Sequence, residues 1–131
     1  MTIAVGAEGT ILHKVREEDL ATAFANDVPV LATPILLWLA EVAAMRAVEG
    51  ALEPGSMTVG VAHRSEHLAA TPIGCTVSVR ALLVEVDGAR LCFAVEASDG
   101  SAEILAGEHD RVVVDAKRFR DRVRHDERRA T

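Results

Sequence analysis

Aromatic residues are nearly missing from this chain: three Phe, one Trp and no Tyr, or 3% in all. A close-packed interior must therefore be filled by Ala, Val, Leu and Ile, drawn from the apolar half of the composition. Cysteine is also scarce. Cys75 and Cys92 lie in apolar, strand-like runs, and although an even count permits a disulfide, nothing else suggests secretion. The expectation is two reduced, dispensable thiols in a cytoplasmic protein. No leader-like opening is present, and no apolar run approaches the ~20 residues that span a bilayer, so export and membrane insertion are not expected. Positive charge is in deficit. A net charge of −6 argues against a general attraction for nucleic acid.

That deficit is uneven. Residues 117–131 hold seven Lys or Arg against three acids, whereas residues 1–116 hold seven against seventeen. The basic end reads as a solvated helix end and tail. With no internal repeat and no low-complexity linker, residues 1–131 are expected to form one domain.

What the chain does have is one strong helix signal and several strand signals. Gly9 to Val15 reads as a short strand, and 16–31 as a loop with one helical turn. Thr33-Pro34 then supplies an N-cap and a first helical position that tolerates the missing N–H. From Ile35 to Ala51 only Glu41, Arg46 and Glu49 interrupt the apolar residues. A helix apolar around its whole girth is expected to be buried. Pro54-Gly55 forces a turn. Met57–His67, Cys75–Val86, Arg90–Ser98 and Ser101–Val114 follow as strands, with hairpin turns at Asp87-Gly88 and Asp99-Gly100. A phase shift near Ala81-Leu82-Leu83 suggests a bulge. Asp115 onward reads as a charged helix. An antiparallel sheet must bury one face, and the apolar helix is the element able to cover it. The expected fold is therefore α+β: a long central helix wrapped by a curved antiparallel sheet of about five strands, the hotdog arrangement. An open sheet edge invites pairing, so a homodimer or higher even oligomer, joined edge to edge, is expected.

Several residues sit awkwardly in that scheme. Glu41 stands mid-helix among Leu and Ala, where a carboxylate is costly unless paired or facing a cleft. Desolvation there would raise its pKa, as suits a general base. Balance of a buried cation such as Arg46 or Arg111 is the structural alternative, although the five residues to Arg46 are a poor helical spacing for contact. Thr33 lies eight residues before Glu41, a little over two turns, and roughly on the same face. Period two puts His63, Ser65 and His67 on one face of their strand, with Arg64 and Glu66 on the other. His63, His67 and His109 could instead gather a metal, yet no spacing matches a known zinc pattern and none is expected.

The runs VLATPILLWLAE, LEPGSMTVG, HLAATPIGCTVSV and DGSAEILAGEHDR resemble the fluoroacetyl-CoA thioesterase family of hotdog proteins over roughly residues 30–119. The resemblance implies a catalytic Thr, Glu and His at Thr33, Glu41 and His67. It implies a glycine near the thioester at Gly60 and a pocket arginine at Arg111. The family's aromatic lid over the acyl group would correspond to residues 16–32, which here are short and hold only Phe24. The acyl pocket is therefore expected not to be specialised for fluoroacetyl.

The expected reaction is hydrolysis of a small acyl-CoA or other acyl thioester, without a cofactor. Glu41 would act as base or nucleophile, and Thr33 and His67 would orient it and supply protons. The backbone N–H of Gly60 or Val61 would hold the oxyanion. The phosphates of coenzyme A would meet Arg64 or the cations from Lys117 to Arg124. A hydratase of the same fold would want an Asp and a His where this chain has Thr33 and no His. A non-catalytic binder of acyl thioesters or other small molecules remains the alternative.

Overall fold

The computed structural model describes residues 2–130, so the outermost ends of the expected domain and of the basic tail lie outside the described residues. Strand β1 (Glu8–Lys14) leads through two short 3-10 turns, Glu17–Asp19 and Ala21–Phe24, into helix α1 (Thr33–Val48). Four strands follow, β2 (Ser56–His67), β3 (Thr76–Asp87), β4 (Arg90–Ser98) and β5 (Glu103–Asp115), and then helix α2 (Ala116–Glu127). The five strands form one antiparallel sheet in the order β1-β3-β4-β5-β2. Strands β3, β4 and β5 are a meander. β2 crosses over to pair with β5, which leaves β1 and β2 as the two edges. No helix among the described residues is long and apolar enough to cross a membrane.

Helix α1 starts where Pro34 fixes a helical φ at a position needing no N–H. The residue preceding the helix is Ala32, and Thr33 is already helical and makes no capping bond. The expected threonine cap is thus absent, because its hydroxyl is engaged elsewhere. The amide of Ala32 instead donates to the carbonyl of Asp19 at 2.8 Å, tying the helix entry to the preceding turn. Past Val48 the chain leaves the helix and Gly50 takes a φ of +85°, a conformation that suits glycine.

The core lies between α1 and the sheet. Leu36, Leu39, Ala40, Ala43 and Ala44 pack against Val77, Val79, Ala81, Leu83, Leu91 and Phe93, all fully buried. Alternation along β4 puts Leu91, Phe93, Val95 and Ala97 inward as the sequence indicates. The helix is not buried all round, however. Trp38 is 50% exposed and Met45 is also exposed, because a single curled sheet covers only one side of a cylinder. Against β1 the approach is extreme: a Cβ on Gly9 would stand 2.2 Å from the carbonyl oxygen of Ala43. Elsewhere the bulge in β3 falls between Leu83 and Glu85, close to where the apolar phase shifts. The β3–β4 turn uses Gly88-Ala89, one residue later than Asp87-Gly88.

Candidate active site

Helix α1 runs antiparallel to β2, and the two elements meet in rungs. Thr33 at the helix start touches His67 at the strand end, its Oγ1 lying 2.8 Å from Nδ1. Eight residues further along the helix, Glu41 meets His63, four residues back on the strand, with Oε2 at 3.1 Å from Nε2. Eight helical residues rise about 12 Å and four strand residues about 13 Å, so the spacings match.

The Glu41 rung is the denser one. Its Oε1 accepts a hydrogen bond from Arg111 Nη1 at 2.9 Å. Arg111 comes from β5, opposite Gly60 in the ladder. Its Nε donates to Thr58 Oγ1 at 2.9 Å and its Nη2 to the Thr58 carbonyl at 3.0 Å. His109 also comes from β5. One of its nitrogens, Nδ1, is 2.8 Å from the Ala62 carbonyl, which can only accept, so Nδ1 carries the hydrogen. The bare Nε2 then accepts from Arg111 Nη1 at 3.1 Å. Burial pushes the His109 imidazole below its ordinary pKa, which keeps it neutral beside the guanidinium.

A side chain at Gly60 would press on the end of Glu41. A Cβ there would lie 2.6 Å from Glu41 Oε1 and 3.2 Å from Arg111 Nη1. Val61, half exposed on the edge strand, is the extra residue of a bulge between Gly60 and Ala62. Phe24 closes the second 3-10 turn and is half exposed.

Several expectations need correction. Glu41 is not an isolated carboxylate, and its pKa is not raised. Burial pushes it up, but the hydrogen bonds from His63 and Arg111 and the nearby positive charge outweigh burial and hold it below the ordinary value. Arg46, the partner considered for it, donates to the Thr10 carbonyl instead, at 3.0 Å. Arg64 is not free to hold phosphate, because it pairs with Asp110 at 2.9 Å and Glu108 at 3.3 Å. Cys92 does not have purely apolar surroundings. Burial, Asp110 and Glu108 push its thiol up to about 12. Both cysteines are free.

Of the three residues expected to be catalytic, Thr33 and His67 pair with each other, and among the described residues no hydrogen bond or ion pair joins them to Glu41, which is held by His63 and Arg111. Burial lowers the His67 pKa, so the ring is neutral and can share the Thr33 hydroxyl proton. The histidine trio considered for a metal does not assemble either. The group that does, Glu41, His63 and His109, has ligand atoms within 4.8 Å of one another. Arg111 Nη1 stands against both Glu41 and His109, and its charge opposes a second cation there. His63 is the residue that sequence reasoning left out of the catalytic set. Its signal was the shared face with His67.

A curled antiparallel sheet around one long helix has close counterparts among solved structures. A crystal structure of the fluoroacetyl-CoA-specific thioesterase FlK superposes with a TM-score of 0.89 at 36% identity, covering 95% of this chain and 98% of that one. A variant of FlK has been solved with fluoroacetate and CoA. A Thermus thermophilus protein described as a thioesterase superfamily member gives a TM-score of 0.89 at 25% identity, over 97% of this chain and 95% of its own. The molecule is thus a hotdog-fold enzyme of the thioesterase class. Among curated proteins, a fluoroacetyl-CoA thioesterase of Streptantibioticus cattleyicolor is 44% identical over 101 residues, 77% of this chain and 73% of that protein. The model of the family described as "Fluoroacetyl-CoA-specific thioesterase" matches residues 15–117, and the chain belongs to that family.

Proposed function

We propose that the protein hydrolyses a short acyl-CoA to the free acid and coenzyme A, with Glu41 at the reacting carbonyl. The observation that carries this reading is the Glu41 carboxylate, held at both oxygens beside a glycine whose Cβ would displace it. The thioester is proposed to lie between the two rungs, its carbonyl near Glu41 and its sulfur toward Thr33 and His67. The backbone N–H of Gly60 or Val61 would meet the oxyanion. Arg111 would keep Glu41 ionised and in place.

A depressed carboxylate is a weak base but stays an ionised nucleophile further into acid, which favours direct attack over water activation. A Glu41 oxygen would add to the carbonyl, and the C–S bond would break as the thiolate takes a proton through Thr33 and His67. Water would then open the resulting anhydride, returning the carboxylate. Single turnover in H2(18)O tests this route, since water that opens the anhydride at the Glu41 carbonyl leaves label in Glu41 and releases unlabelled acid, whereas water activation labels only the acid.

We further propose that the chain works as one folding unit, with the basic stretch from Lys117 as an appendage, and as a homodimer joined through a sheet edge. Edge β2 carries the half-exposed Val61 beside the Glu41 rung. Light scattering at micromolar protein is expected to give twice the monomer mass, and a monomer would refute it. The acyl group is proposed to be small but not exclusively fluorinated, since Phe24 is the one aromatic residue of 16–32. The decisive assay is thiol release over short, branched and aromatic acyl-CoAs, with fluoroacetyl-CoA and acetyl-CoA compared directly. Binding without release by any of them would leave the non-catalytic reading.

A further inference from the structure

The ladder between β2 and β5 contains one irregularity, and it decides which way His63 points. Gly60 pairs with Arg111, so an unbroken register would pair Ala62 with His109 and turn His63 to the opposite face. The bulge at Val61 shifts the count, and His63 pairs with His109 instead. Histidines 63 and 109 and Arg111 therefore share the face that meets α1, which is what a bulge beside a working site does. The two imidazoles lie stacked, with centroids 4.1 Å apart and planes 17° from parallel. His109 is fixed in turn by Ala62 and Arg111, so the stack gives His63 a rigid floor.

The partners also settle the hydrogen on His63. Its Nε2 faces Oε2 of an ionised Glu41, an acceptor only, so Nε2 is the donor. Its Nδ1 is buried without a hydrogen-bond partner among the described residues. A hydrogen there would be unsatisfied, which placing it on Nε2 avoids. The titratable and charged groups that face this ring are Glu41 from α1 and His109 and Arg111 from β5.

We propose that His63 is a positioning residue, which holds the second oxygen of Glu41 from a ring stacked on His109 and so aims the first lone pair that meets the thioester. This rests on the reading of Glu41 as the reacting group. Arg111 alone fixes one carboxylate oxygen and leaves the group able to swing about that bond. Two donors from two strands remove that freedom, as pre-organised sites require. The imidazole donation is also one of the contacts that keep Glu41 below its ordinary pKa, so its loss has a signature in pH as well as in rate.

Two substitutions separate the donor from the stack. His63→Phe keeps a flat ring over His109 and removes the donor, whereas His63→Gln keeps an N–H at a similar reach and removes the ring. With acetyl-CoA and fluoroacetyl-CoA as probes, the Phe variant is expected to lose about 10- to 100-fold in kcat, the scale of a misaimed group. Its KM should stay within about twofold, and the acid limb of its profile should move to higher pH, since Glu41 then protonates more easily. The Gln variant should recover most of kcat and the original limb. A Phe variant with wild-type kcat and limb overturns the proposal. So does a Gln variant as impaired as Phe, or loss of fold by both in thermal melts, which would assign His63 to packing. Glu41→Gln run beside them keeps the two readings apart. If it abolishes turnover while His63→Phe does not, only the role of His63 falls; if it stays active, both fall.

Discussion

Arg111 and Glu41 form an ion pair of 2.9 Å in which the arginine is the buried partner, its side chain 4% exposed against 33% for the glutamate. The pair does two jobs. It fixes a carboxylate at the mouth of the site, and it balances a guanidinium that has almost no access to water.

Catalysis and charge balance are alternatives for Glu41 when only the sequence is read. The geometry makes them compatible, which changes the expectation for Glu41→Gln. Turnover per folded molecule should fall by about 100-fold or more. Stability should also fall, by about 2 kcal/mol, since a charged hydrogen bond to a buried arginine is replaced by a neutral one. Thioester turnover and melting temperature on the same preparation check both halves. A destabilised variant with normal turnover per folded molecule would end the catalytic reading.

Gly60→Ala should separate rate from fold in the other direction. The added methyl would press on Glu41 Oε1, the far end of a flexible side chain, so the carboxylate can yield at small cost. We expect stability to change by no more than about 1 kcal/mol and kcat to drop by about tenfold or more as Glu41 is displaced. Denaturant midpoints and steady-state kinetics on one sample measure this.

Gly9→Ala is expected to act on the fold alone. Its methyl would meet the backbone of Ala43 and Ala47, which cannot yield without moving the helix off β1. The cost should reach about 3 kcal/mol. Thr10→Ala, on the exposed neighbour, should stay within about 0.5 kcal/mol. Equal effects of the two in urea unfolding would contradict the close approach.

Stability should decline in acid through identifiable carboxylates. Hydrogen bonding from Arg64, joined by Arg90 and opposed by burial, holds Asp110 well below the usual range. Burial is likewise outweighed at Asp19 by the Arg16 amide and His13. A depressed carboxylate contributes stability that is present above its unfolded pKa and lost as pH falls through its folded value. The wild type should therefore lose stability below roughly pH 4, where unfolded Asp begins to bind protons. Asp110→Asn should be less stable at neutral pH and show a flatter acid slope. An unchanged slope in pH-dependent denaturation would count against that pairing.

Cys92, with its thiol pushed up to about 12, should resist alkylation by iodoacetamide at mildly alkaline pH and become labelled only on unfolding. Peptide mass spectrometry before and after denaturant reads this. A variant with both Cys75 and Cys92 changed to Ala should keep its turnover.

Local pattern was enough for most elements. Four apolar positions at period two marked the inward face of β4, and the Pro34 start with the mostly apolar stretch from Ile35 marked α1. Phase and propensity act within a few residues, so they can be read along the chain. Membership of the family, and with it Thr33, Glu41, His67, Gly60 and Arg111 as residues to watch, was legible too. How those residues meet was not. The sequence offered Arg46 and Arg111 as cations for Glu41 without deciding between them, and did not offer His63, because the partners lie 22 and 70 residues away. It counted His63 with His67 by strict alternation, which is correct for that stretch. Only the bulge at Val61, a feature of pairing between two strands, brings that face into line with Arg111. Hydrogen bonding inverted the expected pKa of Glu41 for the same reason: desolvation can be guessed from apolar neighbours in sequence, but the donors that outweigh it come from β2 and β5, and only the folded chain brings them within 3.1 Å.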